Sequence, residues 1–367
     1  MRVAIVDPAS WSLAYDEPLA ASLARAGCEV TLYCTRSAHG VESPAEVPGL
    51  KVDEWFYRPG YGLGVLPRRL GRAIRHPLDL SKLVRHLRTN ADVVLVQWMP
   101  GRRVDARAWA QLAKDVPVLF TAHNAQERDK ATDAELLQGF SAVIAHSDGG
   151  AATLREVGLT NVWRMTIGAY DQYARMPDPA TLPADIPADA PLAVFAGLLR
   201  SYKGVDVLLD AWPAVVDRVP DARLIIAGRP VDVELPAVAP AGATILPRFV
   251  SEEELGWLLR RAQVCVLPYR KIDMSGVAVS ALACGTPLVA SDVGGLGEYA
   301  GRGALLVPPG DPTALAEALI EVLGSPERQE ELAREAREAV AEHYSWDGIA
   351  AQYVERLTQL VSGAAGA

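Results

Sequence analysis

The sequence has four cysteines, Cys28, Cys34, Cys265 and Cys284, and no C-x-x-C pair among them. Three lie in or beside apolar runs, the pattern of small core residues in a reducing compartment, and this excludes a disulfide scaffold. No apolar run approaches the length of a membrane span. The start, Met1-Arg-Val-Ala-Ile-Val-Asp, passes straight into a strand pattern and does not read as a signal peptide. The chain is therefore expected in the cytoplasm. A formal net charge of −9 excludes nucleic acid as a bulk partner. No His/Asp/Glu cluster has ligand spacing, so no metal is expected. Glycine is missing from the first turn as well. Where a dinucleotide dehydrogenase carries G-x-G-x-x-G, this chain has Pro8-Ala-Ser-Trp-Ser, which counts against an NAD site in the first half.

What is present is an alternation. Short apolar runs at 2–7, 29–35, 52–57, 93–98, 118–122, 143–146 and 162–167 read as buried strands, with helical patterns between them. Asp16 reads as the N-cap of the first helix, with Pro18 in its first turn and Gly27 closing it. The stretch 176–190 is rich in Pro and Asp and has linker composition. Strands then restart at 192–196, 223–227, 244–246, 264–267, 287–290 and 304–307, with helices at 205–219, 252–261, 277–283, 313–323 and 327–343. The 367 residues, half of them hydrophobic, suffice for two cores. The fold class is α/β, two Rossmann-like parallel-sheet domains. The expected boundaries are 1–175, the linker 176–190, 191–345, and a final amphipathic helix from 346 to 367 carrying Ile349, Tyr353, Leu357 and Leu360 on one stripe.

The stretch 269–298, YRKIDMSGVAVSALACGTPLVASDVGGLGE, organises the second half. Ser275-Gly276 opens a helix that stops at Gly285. A buried strand follows and ends in Asp292-Val-Gly-Gly-Leu-Gly-Glu, where a further helix is expected. Two helix N-termini with little side-chain bulk offer free N–H groups to an anion. Taken singly, each is also an ordinary tight turn.

A different segment, 68–88, sets Arg68, Arg69, Arg72, Arg75, Lys82, Arg85 and Arg88 against Asp79 alone, with Leu66, Leu70, Ile74 and Leu78 interleaved and Gly71 and Pro77 breaking the helical spacing. It reads either as a solvated helix face or as a surface for anionic membrane or a phosphorylated acceptor, with Arg68, Arg69, Arg72 and Arg75 in contact.

Residues 195–212, FAGLLRSYKGVDVLLDAW, resemble the entry to the second domain of retaining, GT-B-fold glycosyltransferases of family four. Thr121-Ala-His-Asn, His146-Ser147, Ile226-Ala-Gly228 and Tyr344-Ser-Trp-Asp resemble further motifs of that family in the same order. The resemblance implies two domains facing across a cleft. It implies a nucleoside diphosphate sugar donor on the second domain, an acceptor (a glycan, a lipid-linked or a small-molecule compound) on the first, retention at the anomeric carbon, and no cofactor. Arg200 and Lys203 would neutralise the donor diphosphate, and His123 would line the donor sugar. Gly197, Gly228, Phe249, Asp273, Ser275, Gly276, Ser280, Gly294, Gly295 and Glu298 would form the rest of the donor site. The final helix would cross back onto the first domain.

One departure stands out. Most members carry Glu-x7-Glu around the Ser275 helix, and here Ile272 and Ser280 occupy those places, with Asp273 adjacent. A short Ser hydroxyl serves one ribose hydroxyl at most. That suits a thymidine diphosphate sugar, which has no 2′-hydroxyl. The plainer alternative is a ribonucleotide donor held through backbone contacts. The rival readings are an epimerase or phosphorylase on the same architecture, and a nucleotide-sugar binding protein without catalysis.

Overall fold

The computed structural model describes residues 1–35, 47–58, 68–123 and 130–365. The chain divides into two compact units, residues 1–168 with 346–367, and residues 169–345. The stretch 176–190, expected as a linker, is held inside the second unit. Arg261 Nη2 donates to the carbonyls of Pro187, Ala188 and Ala190 at 2.8–2.9 Å, which ties this Pro-rich segment down along its end.

Unit 1 contains β1 (Arg2–Asp7), α1 (Leu13–Arg25), β2 (Glu29–Cys34), β3 (Leu50–Asp53), α2 (Arg68–Asn90), β4 (Val93–Val96), α3 (Arg102–Leu112), β5 (Val118–Thr121), α4 (Lys130–Leu137), β6 (Ala142–Ala145), α5 (Asp148–Glu156) and β7 (Val162–Arg164). Unit 2 contains α6 (Gln172–Arg175), β8 (Leu192–Ala196), α7 (Val205–Arg218), β9 (Arg223–Ala227), β10 (Ala243–Leu246), α8 (Glu252–Arg261), β11 (Val264–Leu267), α9 (Gly276–Ala283), β12 (Leu288–Ser291), β13 (Ala304–Val307), α10 (Pro312–Gly324) and α11 (Pro326–His343). The last helix, α12 (Trp346–Ala365), belongs to unit 1 and packs on α1.

Each unit is one parallel sheet, ordered β3-β2-β1-β4-β5-β6-β7 in unit 1 and β10-β9-β8-β11-β12-β13 in unit 2. The inner strands β4, β5, β6, β11 and β12 are buried at every residue, as a sheet covered on both faces requires. Register aligns the strand ends. Val6 lies level with Tyr33 and Val96, and Ala196 with Ala227. The segments that leave β1, β4 and β5 therefore emerge along one edge of unit 1, and those that leave β8 and β9 along one edge of unit 2, the edge where open α/β sheets bind ligands.

Four sequence expectations are corrected. The third strand is Leu50–Asp53, not 52–57, because Phe56 is buried and Trp55 and Tyr57 pack beside it in the same core instead of continuing the ladder. The first helix starts at Leu13, with Ser12 at the cap position; Asp16 lies one turn in, fully buried. The segment 68–88 is one continuous helix. Pro77 leaves only the Ala73 carbonyl without its donor, and Ala73 is exposed to water. No α-helix follows β12; Gly294–Tyr299 form a six-residue 3₁₀ turn, in keeping with three glycines in that stretch.

Candidate active site

In unit 2 the site begins where β8 runs out. Arg200 lies in extended backbone, and Ser201–Lys203 form a single 3₁₀ turn that Gly204 closes into α7. Gly204 has φ +67°, and a Cβ there would collide with the Pro268 carbonyl oxygen. The Lys-Gly step therefore needs glycine on both counts. Gly228 needs it through close approach alone, since a Cβ would overlap the Gly197 carbonyl oxygen.

This packing brings Lys203 back over the strand edge. Its Nζ stands 3.0 Å from where a Gly197 Cβ would lie, and Val277 of α9 lies 3.8 Å from the same point. The ammonium sits over the ring of Tyr269, 5.4 Å from the centroid, a favourable cation–π placement. Nearby carboxylates are committed elsewhere. Asp206 is held by Arg270 through two bonds of 2.9 and 2.5 Å, and Asp232 accepts from the Ser201 amide at 2.8 Å. Among the described residues, neither Arg200 nor Lys203 has a carboxylate partner. Burial, with Arg200 adding to it, pushes the Lys203 pKa down to about 8.

α9 supplies the second half of this site. Ser275 caps it, accepting from the Ala278 amide at 3.4 Å, and the first N–H groups of the helix remain open. Tyr170 lies against its first residue, 3.1 Å from a Cβ placed on Gly276, so the Ser-Gly opening is what makes room for that ring. The Asp273 carbonyl accepts from Gly295 N at 2.9 Å and joins the 3₁₀ turn, with Gly294 and Gly295, to the approach of α9; Asp273 itself is buried. Ser280 is 2 % exposed and donates to the Gly276 carbonyl at 2.8 Å, so its one proton is spent inside the helix. Glu298 is half-buried, and its carbonyl accepts from Arg302. Phe249 stands exposed beyond the end of the edge strand β10. Gly197, Lys203, Gly276 and Ser275 thus come together, with Asp273 and Gly295 joined to them, while Ser280 lies deeper and Phe249 further out. Tyr170 and Tyr269 line the same place, and no spacing or composition signal pointed to them.

In unit 1, His123 follows β5 and is clasped on several sides. Its Nε2 is 3.0 Å from Gln97 Oε1, Trp98 stacks on it (5.0 Å, 16°), and Tyr15 meets it edge-on at 5.1 Å. His146 lies beside it at 5.2 Å. Burial lowers the His146 pKa to about 4, so the ring is neutral and donates from Nδ1 to the Met165 carbonyl at 2.9 Å. Ser147 caps α5 by accepting from Gly150 N at 2.9 Å. Asn124 lies outside the described residues.

Beneath this cluster is a pair of buried carboxyls. Ser12 Oγ accepts from the Trp98 indole N–H at 3.0 Å and lies 2.9 Å from Asp16 Oδ2 and 3.3 Å from Asp7 Oδ2. A hydroxyl has one proton, so a carboxyl proton must serve the other contact. Burial raises the pKa of both acids, that of Asp16 well above the usual range with Asp7 adding to it.

On α2, the Arg72 guanidinium covers the Tyr57 ring at 5.2 Å, and Arg75 reaches the Arg58 carbonyl. The side chains of Arg68, Arg69, Leu70 and Gly71, and all of Leu66, lie outside the described part. The outward stripe carries Ile74 (46 % exposed) and Leu78 (55 %), then Lys82, Arg85 and Arg88. Among the described residues no helix is long and apolar enough to cross a membrane, and no group of three His, Cys, Asp or Glu side chains stands ready to hold a metal ion.

Residues 18–166 match the family model described as Glycosyltransferase Family 4, and residues 190–325 match Glycosyl transferases group 1. A D-inositol 3-phosphate glycosyltransferase of Xylanimonas cellulosilytica is 29 % identical over 93 % of this chain and 89 % of its own. A glycogen synthase of Mycobacterium tuberculosis is 34 % identical, but over only 48 % of this chain and 44 % of its own. In structure, a sucrose-phosphate synthase from Thermosynechococcus elongatus superposes with a TM-score of 0.71 at 22 % identity, covering 99 % of this chain and 100 % of that one. HepE of Anabaena, solved in complex with UDP-glucose, superposes with a TM-score of 0.68 at 17 % identity over 98 % of this chain and 100 % of that one. With both halves matched in order and two parallel-sheet domains of the GT-B kind, the chain belongs to the group 1, family 4 glycosyl transferases.

Proposed function

We propose that the protein moves a glycosyl group from a nucleoside diphosphate sugar, bound by unit 2, to an acceptor hydroxyl held by unit 1, with retention. The observation that carries this reading is Lys203. A half-buried ammonium with no carboxylate partner among the described residues, beside Arg200 and the open N-terminus of α9, is suited to a diphosphate. As the bond from the sugar to the diphosphate breaks, negative charge gathers on the leaving oxygen, and fixed positive groups there lower the barrier. UDP and UDP-glucose in the HepE structures support a nucleotide-sugar donor. Retention, and the contact of His123 with the sugar, rest on the family resemblance.

A thermal-shift series with uridine, thymidine, guanosine and adenosine diphosphates and their glucose conjugates tests the donor side, since a ligand that binds only folded protein raises the melting temperature. The anomeric configuration of the product, read by NMR, tests retention. No shift with any nucleotide would overturn the reading.

The outward face of α2 extends this reading. Ile74 and Leu78 exposed ahead of Lys82, Arg85 and Arg88 suit an interfacial helix on an anionic lipid surface, with the protein peripheral to it.

A further inference from the structure

We propose that Trp11 is the platform on which the acceptor lies, so that the acceptor presents a flat ring with a hydrocarbon face. This rests on the reading that unit 1 holds the acceptor.

The turn after β1 lacks glycine and is nevertheless tightly fixed. Asp7 accepts from the amides of Ala9 at 3.1 Å and Ser12 at 2.9 Å. Ser10 holds φ +54°, a strained value for a residue with a Cβ. Its hydroxyl keeps it there, donating to the Thr35 carbonyl at 2.8 Å and accepting from the Thr35 amide at 3.2 Å. Between these two anchors stands Trp11, 63 % exposed. A rigid turn that holds the largest apolar side chain out in water presents a surface, and an indole binds ring faces through stacking and C–H contact.

The neighbours set the shape of that surface. Trp11 meets Trp98 at 5.3 Å and 80°, and Trp98 in turn stacks on His123. The indole of Trp98 is locked by Ser12, which the two buried carboxyls hold. An aromatic wall thus runs from the end of β1 across β4 to β5 along one edge of the sheet. Behind it Gln97 is fully buried and bonds to His123, yet among the described residues its amide nitrogen has no partner. Apolar faces flanked by polar ring and amide groups suit a ring whose edge carries hydroxyls. The C–H face of a pyranose and an aromatic aglycone share that chemistry.

The test uses the full chain with UDP-glucose or thymidine diphosphate glucose, following nucleotide release. Acceptors are methyl, benzyl and phenyl glucosides for the two sources of a ring face, with glycerol as the ringless control. Trp11→Ala should raise the acceptor KM at least tenfold while kcat, acceptor-free donor hydrolysis and the thermal shift with nucleotide stay as in wild type. Trp11→Phe should recover most of the affinity, which a merely structural role in the turn would not predict. A lower KM for the methyl glucoside would mark a sugar face, and one for the phenyl glucoside an aryl face; either supports the platform. Equal KM in wild type and Trp11→Ala, or transfer only to the ringless control, overturns it while the donor reading stands. Wild type that neither binds nor turns over either donor overturns both.

Discussion

Replacing Lys203 by Met separates the cost of this residue from its use. The ordinary lysine pKa of 10.5 falls to about 8 in the fold, chiefly through burial. At 1.36 kcal/mol per pH unit that difference corresponds to about 3 kcal/mol against holding the charge, and solvent screening of a half-buried group reduces it to roughly 1–2 kcal/mol. The sign follows from proton binding. The folded chain holds this proton less tightly than the unfolded chain, so the full cost applies below pH 8. It is relieved between pH 8 and 10.5, where the folded ammonium deprotonates first. At pH 7, Lys203→Met, similar in length and apolar, should therefore stabilise the ligand-free protein, raising the melting temperature by roughly 2–4 °C per kcal/mol for a unit of this size. The nucleotide response should move the other way. At a UDP concentration a hundred times its Kd, wild type gains about 2.7 kcal/mol, and a hundredfold weaker variant gains about 0.4 kcal/mol at the same concentration. Turnover of donor should fall on the order of a hundredfold, as when one preorganised charge donor is lost. Differential scanning fluorimetry with and without UDP reads both effects in one plate. A variant no more stable than wild type, with an undiminished UDP shift, would refute the assignment of Lys203 to the diphosphate.

Three further outcomes are expected. Ser280→Ala should alter the competition between uridine and thymidine diphosphate by less than twofold, because the Ser280 hydroxyl is committed to the Gly276 carbonyl; a preference shifted by the roughly 1–3 kcal/mol of a lost buried hydrogen bond would show that it reaches the ribose. Asp16→Asn should flatten the pH dependence of unit 1. Both acids are raised, so wild type loses stability as pH climbs from the ordinary carboxylate value of 3.8 through the raised folded values, whereas Asn mimics the protonated acid at every pH; melts at pH 5 and pH 8 that lose equal ground in both proteins would rule this out. Vesicles containing phosphatidylserine should sediment the protein and release it in salt, and Ile74→Ser with Leu78→Ser should weaken this; sedimentation that ignores lipid charge, salt and both substitutions would leave α2 a solvated face.

The parallel-sheet alternation was legible because inner strands such as β4, β5 and β11 are short continuous apolar runs, a pattern with few other readings in an α/β chain. Element ends were less legible, for particular reasons. Trp55, Phe56 and Tyr57 look like strand residues, but as large rings they turn into the core instead of pairing. Asp16 looks like a cap, yet it faces a second carboxyl brought close only by the fold. Gly294 and Gly295 allow a helix start, and the hydrogen bond from the Gly295 amide to the Asp273 carbonyl holds them in a tighter turn. Within the candidate site, Arg200 and Lys203 stood out as basic residues after a strand. Tyr170, Trp98 and Gln97 did not, because their neighbours come from distant parts of the chain, and single-residue chemistry gives no sign of which side chains will meet.

The membership of α12 in unit 1 sets an order of events during synthesis. Unit 2 is contiguous in the chain and needs nothing from α12 to close. Unit 1 begins first but lacks Ile349, Tyr353 and Leu357, all buried in the folded protein, until α12 emerges. Through that interval the apolar side of α1, which α12 will cover, is available to chaperones or to neighbouring nascent chains. The unit encoded first is therefore the unit completed last, and a truncation before Trp346 would strip unit 1 of a packing partner while leaving unit 2 whole.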